Sequence, residues 1–213
     1  MSDGTIVSGE SKIPEARKRI GKMLMKPADA PASKGAVEAI LKSDVLIFGP
    51  GSLYTSVIPN LLVEEIREAI LQSDAVKIYV CNVMTQPGET DGYGAFEHVR
   101  ALVDHMGKQF LDYVIVNDQK ITTEQLKQYY AEGSMPVTPD VEKIRKLGIT
   151  VVPASLISKD DLVRHEPRKL ARALIMLIYR LRLFGKGVQF FDYIFMRHGL
   201  NTMDKDVRGN FKK

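Results

Sequence analysis

Short apolar runs and amphipathic stretches alternate along most of this chain. A continuous apolar run at residues 45–48, followed by turn residues, predicts a buried parallel strand, and further strands are predicted at residues 76–81, 113–117 and 149–152. Hydrophobic residues three and four apart predict helices at residues 34–42, 59–72, 96–106, 123–131 and 167–184. Because parallel strands need crossover connections, the alternation predicts an α/β fold. Its expected form is a Rossmann-like three-layer α/β/α arrangement with a mostly parallel sheet.

The region before this alternation gives weaker signals. Alternating residues predict a short strand at 5–7, and a second extended segment is predicted at 22–25. Residues 26–33 contain Pro27 and Pro31 and therefore predict a loop. Ser33 is predicted to cap the helix that follows this loop.

Composition and charge indicate an ordinary globular protein. Of the 213 residues, 45% are hydrophobic and 26% are charged, which is close to the average for folded domains. The net charge of +4 comes from 30 basic and 26 acidic residues. This excess is too small and too dispersed to indicate a nucleic-acid partner.

Cysteine content and hydropathy indicate the cellular compartment in which the protein is expected. The sequence has one cysteine, Cys81, so neither a disulfide framework nor a cysteine zinc site is predicted. Cys81 ends an apolar run, which indicates a buried thiol. The first residues lack a hydrophobic signal region, and no apolar run approaches the ~18 residues of a membrane span. We therefore expect a cytoplasmic protein without a membrane span.

The loop after the first predicted strand is a candidate anion site. The glycines can adopt backbone angles closed to other residues, and the amides before a helix can bind phosphate. Hydroxyl side chains can donate further hydrogen bonds to phosphate oxygens. The residues concerned are Gly49, Pro50, Gly51, Ser52, Thr55 and Ser56. Taken alone, the same residues also suit a tight strand-to-helix turn, because neither GxGxxG nor the Walker pattern is present.

The loop after the second strand is unusually polar. Its candidate binding residues are Asn82, Thr85, Gln86, Gly88, Glu89, Thr90 and Asp91. Such density suits hydrogen bonding to a ribose, a sugar or a base, while Glu89 and Asp91 could act as a general base or hold a divalent ion. A solvated loop shaped by Pro87 and Gly88 is the alternative. Because both loops follow neighbouring strands, we expect them to face one crevice, which favours a binding site. No catalytic residue and no metal ligand is assigned.

The histidines give a less specific signal. His98 and His105 are seven residues apart and share a helix face, yet neither has a metal-ligand partner at a suitable spacing. His165 precedes a helix, where it could reach a phosphate or pack. Packing or surface roles are favoured for these three residues, and His198 lies in a segment that the pattern does not interpret.

Two sequence runs carry a family resemblance. The run DVLIFGPGSLYTSVIPNLLV at residues 44–63 and the run KIYVCNVMTQPGETDGY at residues 77–93 resemble the YvcK-type gluconeogenesis factors. GTIVSGESKIPE at residues 4–15, RHEP at residues 164–167 and His98 also match. These proteins belong to the CofD-like superfamily, which is related to 2-phospho-L-lactate transferase, and the resemblance spans about residues 3–180.

The resemblance implies a Rossmann-like domain with a ligand cleft. YvcK-type members bind UDP-sugars such as UDP-N-acetylglucosamine and regulate gluconeogenic growth, cell-wall synthesis and cell shape, with no established reaction. The transferase branch moves a phospholactate-containing group onto a deazaflavin precursor of coenzyme F420 and uses Mg²⁺. Its first loop lacks the equivalent of Leu53 and Tyr54. The resemblance therefore implies a nucleotide-sugar ligand, no certain cofactor, and Mg²⁺ only for a transferase.

The domain organisation follows from where the resemblance stops. Family members begin with a strand and a glycine-rich GGGTG-type loop that is not found in this sequence. Residues 1–184 are therefore expected to form the C-terminal part of a CofD-like domain, and residues 185–213 an unassigned tail. Three functions remain open: a UDP-sugar-binding regulator, a transferase, and an interaction module whose sheet another chain completes. A homo-oligomer is compatible with each.

Overall fold

A computed structural model describes residues 1–158 and 163–184 of the chain. The helices are α1 (Lys12–Glu15), α2 (Lys34–Lys42), α3 (Ile58–Leu61), α4 (Glu64–Gln72), α5 (Ala95–Met106), α6 (Thr123–Ala131), α7 (Val141–Arg145) and α8 (Pro167–Phe184). The strands are β1 (Val45–Phe48), β2 (Val76–Val80), β3 (Tyr113–Asn117) and β4 (Thr150–Ala154). The predicted tail and His198 lie outside the described residues.

The four strands form one parallel sheet in the order β1-β2-β3-β4. This confirms the predicted α/β fold and all four predicted strands, with ends shifted by at most two residues. Strand β1 differs from the prediction in its burial, since Ile47 is 45% exposed. The reason is position: within the described residues β1 pairs only with β2, and an apolar run in the sequence does not reveal which strand lies at the edge.

The sheet separates two hydrophobic layers. Alternate side chains of β2 point to opposite faces, as the pleat requires. Val76, Ile78 and Val80 pack with the buried side of α8, and Tyr79 joins the larger cluster on the other face with residues of α3 and α5. The result is the predicted three-layer arrangement. No helix in the described part of the chain is long and apolar enough to cross a bilayer.

The two strands predicted near the N-terminus are absent, whereas the loop predicted at residues 26–33 is confirmed. Residues 5–7 and 22–25 form no strand, because neither segment has a sheet neighbour. Residues 1–25 instead fold into a compact segment, here called the strap, held by internal bonds such as Ser2 N–H to the Arg19 carbonyl at 2.8 Å. The strap contains α1, which the sequence did not predict. Ser33 stands at the start of α2, but its side chain makes no capping hydrogen bond.

The helix predicted at residues 59–72 is interrupted. A π-helical turn at Leu53–Val57 comes first, α3 follows directly, and α4 starts only at Glu64. The break falls at Val63, whose ψ of 115° is extended rather than helical. The helical turn therefore begins inside the first candidate loop, four residues after Gly49.

Candidate functional site

The first loop is a tight turn built on Gly49. Gly49 has φ +80°, and a Cβ atom there would lie 3.0 Å from the Val80 carbonyl oxygen of the neighbouring strand. Glycine is therefore needed both for the left-handed backbone and for the close approach to β2. Ser52 then starts the π-helical turn, and its carbonyl accepts the N–H groups of Ser56 at 2.9 Å and Val57 at 3.0 Å.

This loop borders an open groove beside β1. The groove has a volume of about 470 Å³. Its wall combines β1 and the loop with apolar residues of α2, α3 and α4. The residues that line it are Ala36, Ile40, Leu46, Ile47, Phe48, Gly49, Pro50, Gly51, Ser56, Val57, Asn60, Leu61, Ile66 and Ile70. The polar side chains in this lining are Ser56 of the loop and Asn60 of α3, and the other side chains are apolar or absent.

Most polar side chains of the second loop are hydrogen-bonded to other groups of the protein. Thr85, Glu89 and Thr90 are buried. The Thr85 hydroxyl accepts the Met135 N–H at 2.8 Å, and the Thr90 hydroxyl accepts the Gln86 N–H at 2.8 Å. These bonds fix the loop's shape.

The other polar residues of the second loop differ in exposure. Asn82 and Gln86 are half-buried, and Asp91 is exposed. Asp91 Oδ2 accepts the Gly88 N–H at 2.7 Å. None of the residues predicted in this loop lines the groove beside β1.

Glu89 joins the two loops. Its Oε1 atom accepts hydrogen bonds from the Thr55 hydroxyl at 2.9 Å and from Gln86 Nε2 at 2.8 Å. The side chain is 2% exposed, and within the described residues its Oε2 atom is buried without a hydrogen-bond partner. The loops therefore meet through this carboxyl group.

The electrostatics of Glu89 explain this arrangement. Burial raises the pKa of the Glu89 carboxyl, while the Thr55 hydroxyl and the backbone N–H of Tyr54 act in the opposite direction. Tyr54 and Thr55 belong to the first turn after Ser52, where exposed amides attract negative charge. The Glu89 carboxyl group occupies the side of this turn that faces the second loop, so an external phosphate would have to bind on the groove side of the loop.

A buried tyrosine pair forms a second bridge between the loops. The Tyr54 and Tyr93 hydroxyls are 2.8 Å apart, and their rings meet edge-on at 6.3 Å. Burial is the main reason why the pKa of Tyr54 lies well above its usual value, and the hydrogen bond to Tyr93 is the second reason. The sequence prediction missed this pair. Tyr54 lies inside the first candidate loop and Tyr93 just after the second, but 39 residues separate them and nothing in the sequence pattern pairs them.

The strap covers the outer face of the second loop. Gly88 has φ +81°, and a Cβ atom there would overlap the carbonyl group of Pro14. Ile13 and Ile20 of the strap are buried in the main core. Among the hydrogen bonds of the described residues, one ties the strap to the rest of the domain, from Met23 N–H to His105 Nε2 at 3.0 Å. The strap is thus held mainly by apolar contact.

His98, His165 and Cys81 are packed inside the protein. His98 is fully buried with Nδ1 2.8 Å from the Gly94 carbonyl, and burial lowers its pKa. His165 Nε2 lies 3.2 Å from the Cys81 carbonyl, and burial lowers its pKa also. Burial raises the pKa of the Cys81 thiol to about 12. Cys81 is therefore the inert buried thiol that the sequence predicted.

Metal-ligating side chains do not cluster in the described part of the chain. In residues 1–158 and 163–184, no group of three or more His, Cys, Asp or Glu side chains is placed to hold a metal. Glu89 already accepts two hydrogen bonds on one oxygen, and Asp91 Oδ2 accepts the Gly88 N–H. These carboxylates therefore form no all-protein cage, whereas Mg²⁺ is usually held by one or two carboxylates together with substrate phosphates and waters.

The parallel sheet, with a glycine-containing turn at the carboxyl end of β1, defines a Rossmann-like α/β protein. Comparison with known families is more specific: residues 1–157 match the family model described as 2-phospho-L-lactate transferase CofD. The chain belongs to this family.

Relatives within the family carry a different name. Proteins named gluconeogenesis factor are 46% identical over 176 residues in Halalkalibacterium halodurans and 42% identical over 179 residues in Bacillus subtilis. These alignments cover 82% and 84% of this chain but only 55% and 56% of the relatives. The chain thus spans about half the length of the curated relatives it matches.

A solved structure confirms the fold. The crystal structure of a UPF0052 family member from Bacillus halodurans matches with a TM-score of 0.79 and 45% identity. The match covers 82% of this chain and 56% of that one. The sequence resemblance to the gluconeogenesis factors, which rested on two loop motifs, is therefore confirmed over most of the chain.

Proposed function

We propose that this chain forms one side of a nucleotide-sugar site and acts in a cytoplasmic regulatory protein of the gluconeogenesis factor type. The observation that carries the proposal is the groove beside β1, which Gly49, Pro50 and Gly51 help to line. Its volume of about 470 Å³ is in the range of small-molecule sites, which are mostly apolar with a few convergent polar groups.

The geometry reassigns roles within the site. The backbone of Gly49 to Gly51 and the exposed Ser56 hydroxyl would bind the diphosphate, because they border the groove. The apolar wall beside Phe48 would take the base. The Thr55 hydroxyl already donates its hydrogen bond to Glu89. Thr55 would therefore position the loop and would not bind the ligand directly. Asn82 and Gln86 would reach a ligand only beyond the groove.

Calorimetric titration with UDP-N-acetylglucosamine tests the proposal. A Cβ atom at Gly51 would lie 3.4 Å from Ser56 Cβ and 3.8 Å from Val57 Cγ2, so Gly51→Val places its methyl groups against two groove residues without a left-handed backbone penalty. We expect at least a tenfold loss of affinity. The control is Gly35→Val, where the nearest heavy atom is 3.9 Å away on Ser33.

Two results would overturn the assignment. Unchanged affinity in Gly51→Val, with the fold intact by circular dichroism, would remove the loop from the site. Absence of binding by the wild-type chain would show that the groove alone is insufficient. If binding is established, the same variant should fail to support growth on a gluconeogenic carbon source and normal cell shape.

A transferase is the second candidate, favoured by the description of the matched family model. It would move a phospholactate-containing group from a nucleotide to a deazaflavin acceptor with Mg²⁺. Mg²⁺-dependent turnover that is lost in Glu89→Gln would support it. Absence of turnover with nucleotide-sugar binding intact would leave the regulatory function.

The exposed edge of β1 favours a third candidate, an interaction module. Its outer backbone groups have no strand neighbour within the described residues, and such an edge can recruit another strand. Gel filtration measures this directly. A monomer at all concentrations would contradict it.

A further inference from the structure

The solvent-facing side of α8 is unusually apolar. Its inner side buries Leu170, Ala173 and Leu177 against the sheet. Ile175, Tyr179 and Leu183, spaced four residues apart, are 64%, 59% and 56% exposed. Residues four apart lie on one face of a helix, so these three side chains form a continuous outer stripe.

The same helix is strongly basic. α8 contains five basic residues and no acidic residue: Arg168, Lys169, Arg172, Arg180 and Arg182. Arg168 and Arg182 are exposed and stand seven residues before and after Ile175, which is two helical turns. Cationic groups therefore flank the apolar stripe at both ends of its face.

We propose that this face of α8 docks on the surface of an anionic lipid bilayer. Interfacial helices combine apolar and aromatic side chains, which enter the headgroup boundary, with basic residues that contact anionic lipids. Arginine stems can lie along the apolar stripe while the guanidinium groups reach the phosphates. This inference is independent of the nucleotide-sugar proposal, because α8 does not line the groove.

Charge and area favour a membrane over a protein occupant. A second copy packed on the same face would bring basic α8 surfaces together, and like charges in contact are unfavourable. Three partly exposed side chains also provide much less than the roughly 800 Å² per partner of a standard protein interface. An anionic surface, in contrast, contributes about a fivefold gain in affinity for each basic residue near it.

Co-sedimentation with vesicles tests the proposal on the full chain. We expect binding to vesicles of equal parts phosphatidylcholine and phosphatidylglycerol, weakening as salt rises, and little binding to phosphatidylcholine alone. Arg168→Gln with Arg182→Gln should weaken binding about thirtyfold. Ile175→Ser with Tyr179→Ser should weaken it at least about tenfold.

The matched control is Leu24→Ser with Leu41→Ser, which removes two apolar side chains that are 70% and 47% exposed elsewhere. The control should bind as the wild type does. The proposal fails if the wild type does not sediment with anionic vesicles, as expected if residues 185–213 or a protein partner cover the stripe. It also fails if the α8 variants bind normally, if the control loses binding equally, or if the stripe variant only converts an oligomer to a monomer in analytical ultracentrifugation.

Discussion

Replacing Gly88 with alanine is expected to separate the strap from the second loop. Gly88 has a left-handed backbone, and a Cβ atom would overlap the Pro14 carbonyl group. The substitution therefore has two costs: backbone strain, which is about 1–2 kcal/mol for an L-residue in this region, and displacement of the strap. Only the second cost depends on the contact between Gly88 and Pro14.

Gly92→Ala isolates the backbone cost. Gly92 lies four residues further along the same segment with φ +71°, and a Cβ atom there has no heavy atom within 4 Å. This variant should therefore lose only about 1–2 kcal/mol of unfolding free energy. The difference between the two variants measures how firmly the strap is held.

The strap's own docking energy limits that difference, because the protein can release the strap. Burial of Ile13 and Ile20 contributes about 1.5–3 kcal/mol each, and the bond from Met23 to His105 about 1 kcal/mol. The entropy of ordering the segment opposes these terms. We expect Gly88→Ala to cost about 1–3 kcal/mol more than Gly92→Ala.

Urea unfolding gives the free energies, and limited trypsin digestion reports the strap. Arg17, Lys18 and Arg19 are exposed, and cleavage there should accelerate in Gly88→Ala but not in Gly92→Ala. Equal unfolding free energies together with equal cleavage rates in the two variants would refute the contact between Pro14 and the second loop.

Three further predictions concern side-chain contacts around the site: the tyrosine pair, the buried Glu89 carboxyl group and the bond from Met23 to His105. In a double-mutant cycle of Tyr54→Phe and Tyr93→Phe, urea unfolding should give a coupling of about 1 kcal/mol; zero coupling would contradict the hydroxyl pair. Because burial raises the pKa of Glu89 in the folded state above its usual 4.5, its contribution to stability is greatest below pH 4.5 and declines as pH rises through the folded pKa. Glu89→Gln should remove this decline, so that its unfolding free energy relative to the wild type increases from pH 4 to pH 8; an opposite trend would contradict the assignment. His105→Leu removes the acceptor for Met23 and should cost about 1 kcal/mol while accelerating tryptic cleavage of the strap; an unchanged cleavage rate would argue against that bond.

Local sequence information was sufficient to predict the four strands of the sheet. The four strands are rich in apolar residues, with Lys77, Asn117 and Thr150 as polar exceptions, because parallel strands covered on both faces need hydrophobic residues at nearly every position. The same reasoning predicted α8, whose buried residues recur at helical spacing, and the buried Cys81. The family resemblance was also local, since it rested on two uninterrupted loop motifs.

Long-range contacts decided the site. The sequence placed Glu89 and Thr55 in separate candidate loops, but only the fold brings a buried carboxyl group to the amides at the start of the π-helical turn. The Tyr54–Tyr93 pair and the contact between Pro14 and Gly88 join segments 39 and 74 residues apart in the chain. Hydrophobic periodicity does not predict contacts between residues so far apart in the sequence.

The sequence by itself therefore determined which segments become strands and helices and which family they belong to, because these properties depend on neighbouring residues and on short motifs. The tertiary structure decided that β1 stands at the sheet edge within the described residues and that the strap forms no strand. It also decided that the GPGSLYTS loop borders a groove on one side and contacts the second loop through Tyr54 and Thr55 on the other. Those outcomes depend on which surfaces meet, and burial against a distant partner is a property of the folded chain alone.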